Sequence, residues 1–311
     1  MNMVRSAVVV LAVAALGACA TISGTRAPAE TAETAPSAQM MAADYRFRSA
    51  VNGREYRVSV LLPPNYNVNG TSRHPVFYAY DGTGPNYDDF VTITGLLGAR
   101  TPDVIWVGFG PGEDDTWDAG RAADTTPTNR PVFDEDTFAY LAEAAETAGR
   151  PMSEDDLAAL PRSGQSEAFL DVLETEIIPL IENTYRADGD RALGGHSFAG
   201  LFTGYVLLER PELFDRYLIS SPSFWWGDYV MLDREADYAE ANDDLSARVF
   251  MSVGAVESED MLRSKREFEA GLRARGYEGL TLETAEFDGA NHMGAVAPAF
   301  LNGVPFLYAE E

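Results

Sequence analysis

Two observations predict an α/β fold in which a mostly parallel sheet of about eight strands carries helices on both faces. Short apolar runs, typical of buried parallel strands, alternate with segments whose apolar residues recur at helical spacing. The chain has 311 residues, of which 46% are hydrophobic and 11% aromatic. That composition is enough for the core of one catalytic domain, which we place at residues 44–311.

The first half of this domain reads mainly as strands. Residues 45–51 and 54–63 alternate between polar and apolar side chains and predict two paired strands. The runs "HPVFYAYDG" from His74 and "DVIWVGFG" from Asp103 end in glycine-containing loops, as buried parallel strands do. Residues 111–165 are rich in acids, proline and glycine and long for a connection, so they predict either a lid or a surface insertion.

The second half alternates helices with strands. Apolar residues fall on one helical face from Ser166 to Tyr185, and Pro179 is expected to kink this helix rather than end it. The later elements are predicted as strand 191–197, helix 198–208, strand 214–223, strand 247–254, surface helix 258–276, strand 280–287 and a closing helix after His292.

The N-terminus predicts export. Arg5 precedes a short apolar run, and "LGAC" resembles the lipobox of bacterial lipoproteins, which makes residues 1–19 a signal peptide and residues 20–43 a flexible linker. Cys19 is the only cysteine and the expected lipidation site, for a periplasmic protein anchored to the outer membrane. The alternative is a plain secretory signal, because Ala18-Cys19-Ala20 is itself an A-x-A-like site.

The charge balance excludes one class of partner. A formal net charge of -26 repels phosphate backbones, so we expect no nucleic-acid binding and no membrane contact other than a lipid anchor. The sequence does not predict an oligomeric state.

One serine has the surroundings of a nucleophile. Ser197 lies in "RALGGHSFAGLF" between a predicted strand and a predicted helix, where a sharp turn would expose its hydroxyl. Gly195 and Ala199 are the small residues two positions away on each side. Alanine departs from the strict G-x-S-x-G pattern, so we expect Ser197 to have strained backbone angles and Ala199 to pack tightly beneath the turn.

A serine needs a base, and the chain has three histidines. His74 precedes a strand, at the wrong end of a parallel sheet, and His196 points away from its neighbour in a tight turn. His292 follows the last predicted strand and is the expected base. The single lysine, Lys265, lies in a charged helix expected to be exposed, which sets aside a Ser-Lys mechanism.

The remaining catalytic groups follow from strand order. Glu257 comes after the strand 247–254, between serine and histidine in the chain, and is the expected orienting acid; its rivals are Glu259, Asp260 and Asp288. The oxyanion hole needs two backbone N–H donors. We expect these donors at Phe198, directly after the serine, and at Gly82 or Thr83 in the loop after "HPVFYAY".

Several segments in order resemble the esterase D and enterobactin-esterase-like branch of the α/β-hydrolases, to which periplasmic siderophore-trilactone esterases belong. They lie between Tyr45 and Leu307 and are "HPVFYAYDG", "VIWVGFG", "RAADTTP", "FLDVLETEIIPLIENTYR", "ALGGHSFAGLF", "SPSFWW", "SVGAVES" and "GANHMGAV". The resemblance implies the α/β-hydrolase fold, with Ser197 as nucleophile, His292 as base and Glu257 at the acid position.

The same resemblance suggests substrate contacts. Trp225 or Trp226 in "SPSFWW" is expected to touch the acyl or alcohol part of a substrate, unless both only pack a corner. Arg121 is expected either to face an anionic substrate together with Arg130 or to pair with Asp124.

The expected function is an exported serine carboxylesterase that forms an acyl-enzyme on a small-molecule ester, without metal or organic cofactor. The resemblance suggests a siderophore ester. Three alternatives stay open: an acyltransferase, a polysaccharide acetyl or feruloyl esterase, and an inactive binding protein of the envelope.

Overall fold

Eight strands form a single sheet in the computed structural model, which describes residues 40–113, 117–129 and 163–309. The strands are β1 Met40–Arg48, β2 Glu55–Leu62, β3 His74–Tyr80, β4 Ile105–Pro111, β5 Ala187–His196, β6 Arg216–Ser220, β7 Ala247–Gly254 and β8 Leu280–Phe287. Their order across the sheet is β1-β2-β4-β3-β5-β6-β7-β8. The pairs β1–β2 and β2–β4 are antiparallel and all others are parallel. The predicted sheet is therefore confirmed, although β1 begins at Met40, within the segment predicted as linker.

Helices follow most strands. They are α1 Tyr87–Leu97, α2 Trp117–Thr125, α3 Ser166–Val172, α4 Ile178–Thr184, α5 Phe198–Glu209, α6 Trp226–Ala241, α7 Glu259–Arg275 and α8 Val296–Leu307. A wider π-type turn, Leu173–Ile177, joins α3 to α4 just before Pro179, so the helical path continues past the proline as expected. None of the described helices is both long and apolar enough to cross a lipid bilayer.

Each face of the sheet carries its own core, because side chains alternate along every strand. In β3, Val76 and Tyr78 belong to one core and Phe77 to the other. The first core includes buried side chains of α3 and α5, and the second includes buried side chains of α1 and α8. Because both faces of the sheet are covered, the loops that follow the parallel strands meet at the carboxyl ends of those strands. Ligands bind at this edge in sheets of this kind.

Candidate active site

Ser197 occupies the sharp turn between β5 and α5. Its backbone angles are φ 63° and ψ -121°, a strained conformation for a residue with a side chain, as expected. A Cβ atom on Gly195 would lie only 2.7 Å from Cβ of Ala199, so glycine is required for the strand to approach the helix. Ala199 itself is fully buried and helical, which explains why alanine is accepted there.

His292 pairs with Glu257. Its Nδ1 lies 2.6 Å from Oε2 of Glu257, whose side chain is 1% exposed, while the imidazole is 39% exposed. Of the rivals, Asp260 accepts a hydrogen bond from the Tyr229 hydroxyl, and Glu259 and Asp288 are exposed. The structure thus brings together His292 and the acid that chain order indicated.

Two further groups hold the Glu257 carboxylate. The Ser221 hydroxyl donates to Oε1 at 2.6 Å, and the Gly254 N–H donates to the same oxygen at 2.8 Å. Burial alone would raise the pKa of Glu257, but the hydrogen bonds from His292, Ser221 and Gly254 outweigh it and lower the pKa below its ordinary value. Ser221, at φ 39°, was not singled out from the sequence.

His196 is a packed neighbour rather than a partner of Ser197, as predicted. Its Nδ1 lies 3.0 Å from the Ser220 hydroxyl, and its ring lies 4.4 Å, centroid to centroid, from that of His292. Burial, with smaller contributions from nearby His292 and Arg121, lowers the pKa of His196 to about 3. The ring is therefore neutral at physiological pH, and its Nε2 is buried without a hydrogen-bond partner.

The other two basic candidates are structural. His74 is buried at the start of β3 and bonds through Nδ1 to the Asp103 carbonyl at 2.9 Å. The expectation that Lys265 is exposed was wrong: it is 1% exposed and pairs with Glu269 at 2.6 Å, one helical turn away. That ion pair explains how a lysine is tolerated inside the core.

The loop after β3 carries Gly82 and Thr83, between which the sequence leaves the second oxyanion donor open. Gly82 packs directly on β4, because a Cβ on Gly108 would lie 1.8 Å from the Gly82 carbonyl oxygen. The Gly82 N–H donates to the Ala79 carbonyl at 3.3 Å, whereas the fully buried Thr83 bonds through its hydroxyl to Ser59. Phe198 is the first residue of α5, so its N–H has no acceptor within that helix.

Arg121 joins this loop to the serine turn. Its guanidinium donates to both carboxylate oxygens of Asp81 at 2.7–2.8 Å and to the His196 carbonyl at 3.0 Å. The expectation that Arg121 could pair with Asp124 was wrong, because the Asp124 carboxylate is fully buried and pairs with Arg54. Both residues lie in α2, but their partners lie next to different strands: Asp81, which pairs with Arg121, follows β3, whereas Arg54, which pairs with Asp124, precedes β2.

Two cavities meet at Ser197 and His292, which line both. The larger has a volume of about 700 Å³ and the smaller about 450 Å³. The larger is lined mainly by residues of β3, α1, α2 and α8, and the smaller by residues that follow β5, β6 and β7. A cleft on each side of one serine can receive the two halves of an ester.

The structure separates the two adjacent tryptophans. Trp225 is 36% exposed, lines the smaller cavity and donates through Nε1 to Met261 Sδ. Trp226 is 3% exposed and donates to the Thr128 side chain at 3.0 Å, so the expectation that it contacts substrate is corrected to a packing role. Arg130, and with it most of the predicted insertion at residues 111–165, lies outside the described residues.

The chain order of serine, carboxylate and histidine after β5, β7 and β8 is that of the α/β-hydrolases, and the chain has that fold. Within the described ranges, no group of three or more His, Cys, Asp or Glu side chains is placed to hold a metal ion. The chain belongs to the family described as "Putative esterase", whose sequence model matches residues 49–143 and 149–306.

Similar proteins include siderophore esterases. The chain is 29% identical over 142 residues to ferri-bacillibactin esterase BesA of Bacillus subtilis, covering 44% of this chain and 49% of that protein. It is 32% identical over 99 residues to the siderophore triacetylfusarinine C esterase of Aspergillus fumigatus, covering 30% of this chain and 34% of that protein. The matches therefore span about half the length of these relatives or less.

A solved structure confirms the fold. An IroE-like serine hydrolase from Shewanella oneidensis superposes with a TM-score of 0.69 at 22% identity, over 86% of this chain and 81% of that one.

Proposed function

We propose that this protein is a serine carboxylesterase that works through an acyl-enzyme. The observation that carries the proposal is the hydrogen bond between His292 and Glu257, together with the position of His292, which lines the same two cavities as the strained Ser197. Because Nδ1 of His292 is engaged by Glu257, Nε2 is the ring nitrogen left to take the serine proton. The family membership and the names of the relatives support an ester substrate.

The reaction would proceed in two halves. Ser197 Oγ attacks the ester carbonyl while His292 accepts its proton, and the tetrahedral oxyanion is held by the N–H of Phe198 and an N–H of the Gly82–Thr83 loop. Collapse expels the alcohol, which takes the proton from His292, and leaves an acyl-serine. Water activated by the same histidine then releases the acid and restores the enzyme.

The test is Ser197→Ala, assayed with a short-chain nitrophenyl ester and with a fluorophosphonate probe. We expect kcat/KM to fall roughly 10⁴-fold and labelling to disappear. Ser223→Ala is the matched control, since it removes another serine of the smaller cavity and should keep the labelling. Near-native turnover by Ser197→Ala would refute the mechanism, and absence of labelling in the unmodified protein would favour an inactive binding protein.

The siderophore relatives make a siderophore ester the first natural substrate to test, next to acetyl and feruloyl esters. Product analysis with a competing alcohol separates hydrolysis from acyl transfer, because a transferase would form the new ester.

We further propose that residues 1–19 direct export and that Cys19 carries a lipid anchor in the periplasm, on the strength of the lipobox-like "LGAC". A mature chain that starts at an unmodified Thr21 in mass spectrometry would contradict the anchor.

A further inference from the structure

The walls of the two cavities carry far more negative than positive charge. Five carboxylates line them: Asp81, Asp89, Asp118, Glu257 and Asp260. Over the described ranges, the only lysine or arginine in either wall is Arg121.

That guanidinium is already neutralised. Both oxygens of Asp81 accept hydrogen bonds from it, and the His196 carbonyl takes another N–H. His292 is likewise committed to Glu257. A substrate anion entering the larger cavity would therefore meet the exposed carboxylates of Asp89 and Asp118 with no cationic side chain in the described wall left to offset them.

We infer that this site selects uncharged or cationic esters and rejects anionic ones. The inference rests on the proposed esterase function and specifies its substrate class. Aromatic walls reinforce it, because Trp117, Tyr80 and Phe90 line the same cavity and aromatic faces attract cations rather than anions. A ferric complex of catecholates, which carries several negative charges, is then a poor substrate, and a siderophore ester fits only if its net charge is zero or positive.

The size of the effect follows from the cavity. A carboxylate at the wall of a 700 Å³ cavity lies about 6 Å from its centre, where in water-like surroundings it changes the binding of a unit charge about threefold. Asp89 and Asp118 together give about tenfold for a cation over its neutral isostere, and about tenfold against an anion. Salt weakens both preferences, because exposed charges are screened.

The experiment uses two isosteric ester series, so that charge is probed on each side of the scissile bond. The acyl series comprises nitrophenyl esters of trimethylammoniobutanoate, 5,5-dimethylhexanoate and 4-sulfobutanoate. The alcohol series comprises acetylcholine, 3,3-dimethylbutyl acetate and acetoxyethanesulfonate. We expect kcat/KM in at least one series to fall from cation to anion by roughly 100-fold at low salt and by much less at about 0.5 M salt.

Substitution identifies the groups responsible. Asp89→Asn with Asp118→Asn should reduce the cation-to-anion ratio to within a few-fold of one. Asp88→Asn is the control, because Asp88 is an exposed acid of α1, next to Asp89, that does not line the cavity; this change should leave the ratio unchanged. Equal hydrolysis of anionic and neutral esters in both series, or an unchanged ratio in the double variant, would overturn the charge inference. If the unmodified protein hydrolyses none of these esters, the neutral ones included, the esterase proposal on which the inference rests is overturned instead.

Discussion

Arg121 is expected to position the oxyanion loop rather than to bind substrate. Its side chain ties Asp81, at φ 70°, to the His196 carbonyl next to Ser197, at φ 63°. A single guanidinium thus fixes the relative position of two strained turns. One turn carries the nucleophile, and the other carries the expected oxyanion donor. Arg121→Met removes this link and leaves a carboxylate that is only 18% exposed without its cation.

Two losses follow. Breaking a buried ion pair costs about 3–5 kcal/mol, and partial exposure of both partners reduces this to about 2–3 kcal/mol, or a Tm lowered by about 5–10 °C. Misplacement of an oxyanion donor by a fraction of an ångström should lower kcat about 100-fold with little change in KM. Asp81→Asn combined with Arg121→Met should recover part of the stability but not kcat, because no charge is then left unpaired.

The matched control is Arg191→Met. Arg191 makes a similar bidentate ion pair with Glu182 and contacts a backbone carbonyl, but it lies in the middle of β5, before the residues that lead into the Ser197 turn. It should lower Tm by a comparable amount and leave kcat within about twofold. The positioning role is refuted if folded Arg121→Met keeps its kcat, and a rise in KM alone would show that Arg121 binds substrate instead.

Two further predictions concern the histidines and their partners. Ser221→Ala should lower kcat about 3–10-fold and raise the pKa of Glu257, because one hydrogen bond to the anion is lost, while Glu257→Gln should cost about 10³-fold or more. A Ser221→Ala enzyme with unchanged kcat and unchanged acid limb of its pH profile would show that the hydroxyl is dispensable. His196 stays neutral in the folded protein while it protonates in the unfolded chain below about pH 6.5, so it destabilises the fold as pH falls from there toward its folded pKa of about 3. Between pH 7 and pH 4.5, the free energy of unfolding measured with urea should fall by roughly 2–3 kcal/mol less in His196→Asn than in the unmodified protein. Equal falls in the two proteins would contradict this.

The sequence predicted the sheet well because inner strands such as β7 are buried on both faces and leave apolar runs, while the edge strand β8 leaves an alternating pattern. The strands 247–254 and 280–287 were placed at their observed bounds. Helices α1 and α6 were missed for local reasons. The first is rich in threonine and other β-branched residues, and the second has three residues with positive φ directly after its first residue, Gly227 to Tyr229.

The site was predictable where few residues could compete. With three histidines in the chain, elimination led to His292, and chain order led to Glu257. Where competitors were adjacent, sequence was insufficient: Trp225 and Trp226 differ by one position, and only the turn before α6 decides which of them faces a cavity.

Pairs distant in sequence were beyond prediction for a more general reason. Asp124, three residues along the helix from Arg121, is the local choice for an ion pair. In the fold it is taken by Arg54, Tyr56 and Tyr80, and the desolvation of this fully buried carboxylate raises its pKa to about 6. Arg121 is thereby released to pair with Asp81 at the end of β3. Asp124, the partner that sequence proximity favoured, is held in the core by Arg54 and two tyrosines. Because Asp124 is already paired there, the Arg121 guanidinium can link the Ser197 turn to the oxyanion loop.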